Sequence, residues 1–78
     1  MEQNLTTKIL YKIKANPNCN SSQIKIDGYH EKIIFQELLR LHKSNLIFAK
    51  PSEHETGEIV KLFDMNLSPK GKNSLEKS

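Results

Sequence analysis

The segment from about residue 30 to residue 44 constrains the fold of this chain more than any other part of it. Ile34, Leu38 and Leu41 recur at the spacing of one face of an α-helix. Three further apolar residues flank this stripe and widen it: Ile33, Phe35 and Leu39. The pattern therefore predicts a central helix that is buried over most of its circumference.

The opposite side of this predicted helix is polar. At about 100° per residue, four long side chains fall together there. We call them the polar row: Lys32, Gln36, Arg40 and Lys43. Asn45 follows the helix where a left-handed residue often ends one, and asparagine tolerates that conformation better than most residues do. We expect the polar row to face water along one narrow cationic strip.

Two more helices are predicted, one on each side of the central segment. Apolar residues at helical spacing predict a helix over about 5–15, which Asn16 and Pro17 end because the residue before proline disfavours the α conformation. Ser68 and Pro69 predict the start of a short last helix, with serine as the N-cap and proline in the first position. Leu75 is its large apolar anchor.

Three strands are predicted between these helices. Residues 23–26 alternate polar and apolar, which favours a short strand ending at the Asp27-Gly28 turn. Residues 46–50 and 59–67 predict a hairpin around a polar loop at 51–57. Alternation in the second hairpin strand places five residues on one side: Ile59, Lys61, Phe63, Met65 and Leu67.

The predicted order is helix, strand, helix, hairpin, helix, in a single α+β domain over residues 1–78. If 23–26 pairs with the hairpin, a small antiparallel sheet of three strands forms, which is the arrangement of a winged helix-turn-helix domain. The second helix of that arrangement is reduced or absent here. Either it has collapsed into the turn at 27–29, or 21–26 is itself the helix; the spacing of Ile24 and Ile26 favours the strand.

Two motifs carry a family resemblance. The string from Leu38 to Ile47 resembles the "xLxxLxxxGLI" joint between recognition helix and wing in many bacterial winged-helix proteins, with Asn45 in place of glycine. The string from Leu67 to Leu75 resembles their "LTxxGxxxL" close, with Ser68 in place of threonine. The whole chain thus resembles the small YjcQ-like group of bacterial and phage winged-helix proteins. The resemblance implies the fold and leaves the function to be argued from the residues.

The net charge of +3 permits a nucleic-acid partner. Arginine can bond bidentately to guanine and glutamine to adenine, so Lys32, Gln36 and Arg40 are suited to reading bases in the major groove. Four other lysines are suited to phosphate contacts: Lys43, Lys12, Lys14 and Lys25. We therefore predict a DNA-binding transcriptional regulator of bacterial or phage origin, with double-stranded DNA as partner and a homodimer as its form.

An alternative remains open, because residues 46–67 carry two lysines against four carboxylates. The predicted loop holds Glu53, Glu55 and Glu58, which repel phosphates. A winged-helix module for protein–protein interaction or dimerisation, without DNA binding, would suit such a loop. In that case the polar row is only a solvated helix face.

Other kinds of site are not expected. Cys19, His30, His42 and His54 lack the close spacing that lets two residues bind one metal ion locally. The chain has neither a glycine-rich phosphate loop nor a nucleophile motif, so we expect no cofactor and no enzymatic activity. The single cysteine, and the absence of a signal sequence or a long apolar run, predict a cytoplasmic protein.

Overall fold

A computed structural model describes residues 4–76, which form three α-helices and a two-stranded antiparallel sheet. In chain order these are α1 (Leu5–Ala15), a 3₁₀ turn (Ser21–Gln23), α2 (Glu31–Lys43), β1 (Ile47–Glu53), β2 (Ile59–Leu67) and α3 (Pro69–Glu76). The α+β class and the three predicted helices are confirmed. None of the helices within residues 4–76 is long and apolar enough to cross a membrane.

The ends of α2 follow from local hydrogen bonding. His30 precedes the helix, and its Nδ1 accepts a hydrogen bond from the Lys32 amide at 3.1 Å. At the other end, the Leu46 amide donates to the Leu41 carbonyl at 3.0 Å and the Asn45 amide to the His42 carbonyl at 3.2 Å. This pair of bonds requires a left-handed residue at position 45, and Asn45 has φ 61°, as predicted.

The predicted strand at 23–26 is wrong. Ile24 and Ile26 are both buried, but they lie on an extended segment outside the sheet, after the 3₁₀ turn. The alternation of these residues reflects two side chains that enter the core from a loop. The second helix of the expected arrangement is thus reduced to three residues, Ser21–Gln23, within the span that the sequence left open.

The third strand position beside β2 is occupied by an earlier segment. Cys19 forms an isolated antiparallel bridge with Met65. The Met65 amide donates to the Cys19 carbonyl at 2.9 Å, and the Asn18 amide donates to the Met65 carbonyl at 3.0 Å. Among residues 4–76 the sheet is therefore two-stranded with one added bridge, and 23–26 does not supply the third strand that its pairing with the hairpin would have formed.

The hairpin is longer on its first side than predicted. β1 continues through Pro51 and Ser52 to Glu53, and Pro51 pairs with Leu62. Within the described sheet, β1 has β2 on one side only, and an edge strand tolerates proline because the missing N–H can face outward. The predicted loop at 51–57 is thereby shortened to residues 54–58.

A bulge in β2 overturns the predicted one-sided alternation. Phe48 pairs with Asn66 but Lys50 pairs with Phe63, so β2 holds one extra residue, and Asp64 has φ 51°. An extra residue exchanges the two faces of a strand beyond it. Met65 and Leu67, on the C-terminal side of the bulge, are buried as expected. On its N-terminal side, the side chain of β2 that is buried in the core is Leu62.

α3 is fastened to the end of α2 through Ser68. The Gly71 amide donates to Ser68 Oγ at 3.1 Å, which confirms Ser68 as the N-cap. The same hydroxyl donates to the Asn45 carbonyl at 2.5 Å, and the Ser68 amide donates to the Leu46 carbonyl at 3.1 Å. Leu75 is buried, so this short helix closes one side of the core.

Candidate nucleic-acid interface

The polar row is exposed along α2. All four of its residues are solvent-exposed, whereas Ile34, Leu38 and Leu41 on the opposite side are buried. Neither the hairpin nor α3 covers the row. The orientation predicted from the helical spacing is therefore present, and the binding role of these residues stays a prediction.

Arg40 differs from the rest of the row because it has partners within the fold. Its Nε donates to Glu37 Oε1, and its Nη2 donates to Thr6 Oγ1 at 3.1 Å. Thr6 Oγ1 in turn donates to Glu37 Oε2 at 2.6 Å, which closes a network between α1 and α2. Sequence reasoning missed this network, although the (i, i+3) spacing of Glu37 and Arg40 indicates their pairing.

The network changes the acidity of Glu37. The Arg40 hydrogen bond lowers the pKa of the Glu37 carboxyl below its ordinary 4.5; burial opposes this shift, and the Thr6 hydrogen bond and the Arg40 charge reinforce it. The same contact raises the pKa of the Arg40 guanidinium above its ordinary value. A lowered carboxyl pKa stabilises the fold above the unfolded-state pKa, and this stabilisation is lost as pH falls through the folded-state pKa.

Replacing Glu37 with glutamine is therefore expected to flatten the acid side of the stability profile. The wild type loses stability as pH falls below about 4.5, while Glu37→Gln lacks this part of the loss. The effect is small, under about 1 kcal/mol, because the Arg40 side chain is 55% exposed. Urea denaturation at a series of pH values measures it. Glu31→Gln corrects for the change in net charge, and equal acid slopes in Glu37→Gln and the wild type would contradict the prediction.

A second cluster of positive charge lies between α1 and the segment before α2. Lys8, Lys12 and Lys25 line a recess of about 580 Å³ together with Tyr11, Asn16 and Asp27. The structure thus brings two of the predicted phosphate contacts, Lys12 and Lys25, to one place and adds Lys8. Lys14 is exposed but does not line this recess. The (i, i+4) spacing of Lys8 and Lys12 was the available signal for the added residue. We call this cluster the lysine recess.

A groove of about 810 Å³ runs between α2 and β2. Phe35 and Leu39 of α2 and Ile59 and Val60 of β2 supply its apolar lining. Three residues of the polar row border the groove: Lys32, Gln36 and Lys43. Lys61 and the carboxylates of Glu31 and Glu58 also border it. Sequence reasoning missed this groove because it depends on how the hairpin packs beside the helix.

The hairpin loop is acidic and exposed. The His54 amide donates to the Glu58 carbonyl and the Gly57 amide to the His54 carbonyl, both at 2.8 Å, so the loop is a closed turn. Glu53, Glu55 and Glu58 all face solvent there. Lys50, the nearest lysine on β1, lies 3.5 Å from Asp64. This end of the hairpin therefore repels phosphate.

The described residues give little support for a metal site or for a reactive thiol. Within residues 4–76, no group of three or more histidine, cysteine or acidic side chains could hold a metal ion. Cys19 is buried, and burial raises the pKa of its thiol, which disfavours the reactive thiolate. Cys19 instead contributes its carbonyl to the bridge beside β2.

No model of a known protein family matches the chain, and no curated protein sequence matches it significantly. The resemblance to the YjcQ-like group therefore stays a prediction. Three surfaces of the described fold are candidates for binding a partner: the exposed face of α2, the lysine recess and the groove.

Proposed function

We propose that this chain is a small winged-helix-like domain that binds double-stranded DNA, with α2 in the major groove. The order of α1, the Cys19 bridge, the 3₁₀ turn, α2, the hairpin and α3 is compatible with such a fold. One observation carries the proposal. A helix whose inner side is fully packed presents Lys32, Gln36, Arg40 and Lys43 to solvent along one face.

The proposed contacts divide into two kinds. Lys32 and Gln36 would reach base edges, where glutamine pairs with adenine. Lys43 at the end of α2, the exposed Lys14 and the lysine recess would contact phosphates, which set the register of the protein on the duplex. Arg40 could bond a base through its Nη1–Nη2 edge, whereas its Nε–Nη2 edge is used by Glu37 and Thr6.

The acidic hairpin loop limits how the domain can lie against DNA. Since like charges repel, the loop is held away from the phosphate backbone rather than laid against it. A single domain then contacts few phosphates and binds weakly. A homodimer would place two α2 helices about one turn of DNA apart on a palindrome and make up the deficit.

Replacing Lys43 with alanine is expected to weaken duplex binding and to reduce its salt dependence. Removing one lysine from a phosphate reduces the slope of log K against log salt by about 1. Fluorescence anisotropy with a mixed-sequence duplex, at several salt concentrations from low to moderate, measures this slope. Lys43 is exposed, so the variant should fold like the wild type.

The matched control for this experiment is Lys72→Ala. Lys72 is an exposed lysine on α3, a helix that packs against α1 and β2. Its removal changes the net charge equally and should leave the slope closer to the wild-type value. Absence of duplex binding at low salt, with the fold intact, would overturn the proposal.

A second candidate function is protein–protein interaction through the groove between α2 and β2. Val60 in this groove is 53% exposed, and Phe35, Leu39 and Ile59 add apolar area beside it. Exposed apolar surface with a polar rim is typical of protein interaction sites. If the duplex does not bind, Val60→Asp tested by light scattering and by partner capture distinguishes self-association from a different protein partner.

A further inference from the structure

Ile33 is exposed on α2 although the sequence predicts it as a flank of the buried stripe. It is 46% exposed, whereas the other two predicted flanking residues, Phe35 and Leu39, pack partly against the core. A β-branched residue that is half in water gains little from packing and is a weaker helix former than alanine. The packing of the described fold therefore does not explain its presence at this position.

Ile33 lies beside the polar row. With 3.6 residues per turn, it is about 60° from Gln36 and about 20° from Arg40 around the helix axis. The exposed face of α2 thus combines an amide side chain and an aliphatic side chain on adjacent turns. If α2 enters the major groove, both approach base edges together.

Arg40 is the single arginine of the chain, and arginine is the side chain best suited to reading guanine. Its Nε and Nη2 are occupied by Glu37 and Thr6. Arginine can bond guanine bidentately through its Nε–Nη2 edge or its Nη1–Nη2 edge, and the network uses the first of these, so it narrows guanine readout to the second edge. Gln36, which is exposed at the centre of the row, favours adenine instead.

We infer that the DNA site prefers A·T base pairs, with Gln36 bonding adenine and Ile33 packing on the 5-methyl group of thymine. This inference rests on the proposed function and specifies its target. Thymine alone among the four bases presents a methyl group in the major groove, and aliphatic side chains recognise it by apolar contact. Arg40 acts here as a positioning residue that fastens α1 to α2.

Replacing thymine with uracil tests the inference, because the exchange removes the methyl group and leaves the hydrogen-bonding edges of the base pair unchanged. Three duplexes of equal length are compared by anisotropy at one salt concentration: A·T-rich, the same sequence with deoxyuridine for thymidine, and G·C-rich. We expect the uracil duplex to bind about fourfold more weakly than the thymine duplex, from the burial of one methyl group. The G·C-rich duplex should bind at least about fivefold more weakly than the A·T-rich one.

Ile33→Ala is the decisive variant. Alanine is the better helix former and the site is half exposed, so the variant should fold, which circular dichroism checks. It should bind thymine and uracil duplexes equally, whereas Ile33→Val should keep a difference between them. Arg40→Ala should keep the preference for A·T.

Different outcomes overturn the A·T inference and the proposed DNA-binding function. Equal binding of thymine and uracil duplexes by the wild type, or tighter binding of the G·C-rich duplex, overturns the A·T inference while DNA binding itself stands. A thymine preference that persists in Ile33→Ala also overturns the role of Ile33. Absence of binding to every duplex at low salt overturns the proposed function instead.

Discussion

Replacing Gly71 with alanine is expected to destabilise the protein by about 1–3 kcal/mol, although the substitution lies inside a helix. A Cβ at this position would overlap the carbonyl oxygen of Leu46. That oxygen is part of the backbone and accepts a hydrogen bond from the Ser68 amide, so it cannot turn aside without breaking the bond. α3 would have to move away from the end of α2.

The destabilisation expected for Gly71→Ala is opposite in sign to the usual effect of this substitution in a helix. Glycine-to-alanine in an ordinary helix interior stabilises by about 1 kcal/mol, because alanine is the better helix former. Urea denaturation of Gly71→Ala therefore distinguishes the two cases. Asn73→Ala, at an exposed position of the same helix, is the control and should be neutral or stabilising. Stabilisation by Gly71→Ala would show that α3 does not approach Leu46 this closely.

Replacing Leu38 with alanine is expected to lower the free energy of unfolding by about 2–5 kcal/mol. Leu38 is 0% exposed and lies at the centre of the buried stripe of α2. A chain of this length is stable by roughly 4–12 kcal/mol in all, so the loss is a large part of the total. The variant should be partly or wholly unfolded at room temperature.

Thermal and urea denaturation followed by circular dichroism measures this loss. Leu38→Met keeps the volume and should cost less than about 1.5 kcal/mol, while Gln36→Ala on the exposed side should cost almost nothing. A Leu38→Ala variant as stable as the wild type would contradict the buried position of α2. Such a result would also remove the reason for assigning the opposite side of the helix to a ligand.

The helices could be predicted from the sequence because their signals are local. The apolar spacing of α1 and α2, the left-handed Asn45 and the Ser68-Pro69 start each depend on neighbours within about one helical turn. The exposure of the polar row follows from the same spacing, since the side opposite a buried stripe faces outward. Gly71 is the glycine of the Leu67–Leu75 motif, but the motif does not explain why glycine is needed there. The explanation is the close approach of the Leu46 backbone, which lies 25 positions earlier in the chain.

The errors in the sheet arise where pairing is decided by distant residues. Ile24 and Ile26 alternate like a strand, yet Asn18 and Cys19 occupy the place beside β2. The bulge at Asp64 depends on how β2 meets β1, and period-two alternation cannot reveal it. Proline usually marks the end of a predicted strand. Pro51 lies within β1 instead, because proline on an edge strand costs no hydrogen bond.

By itself the sequence determined the three helices, the hairpin and the side of α2 that faces water, because helical periodicity is a property of consecutive residues. Only the tertiary structure decided that Arg40 is engaged by Glu37 and Thr6, that Lys8 joins Lys12 and Lys25, and that Ile33 lies exposed beside Gln36. The physical reason is that each of these facts depends on which elements pack against α1 and α2. Hydrogen bonding and burial are settled by neighbours in space, whereas the spacing of residues records only neighbours along the chain.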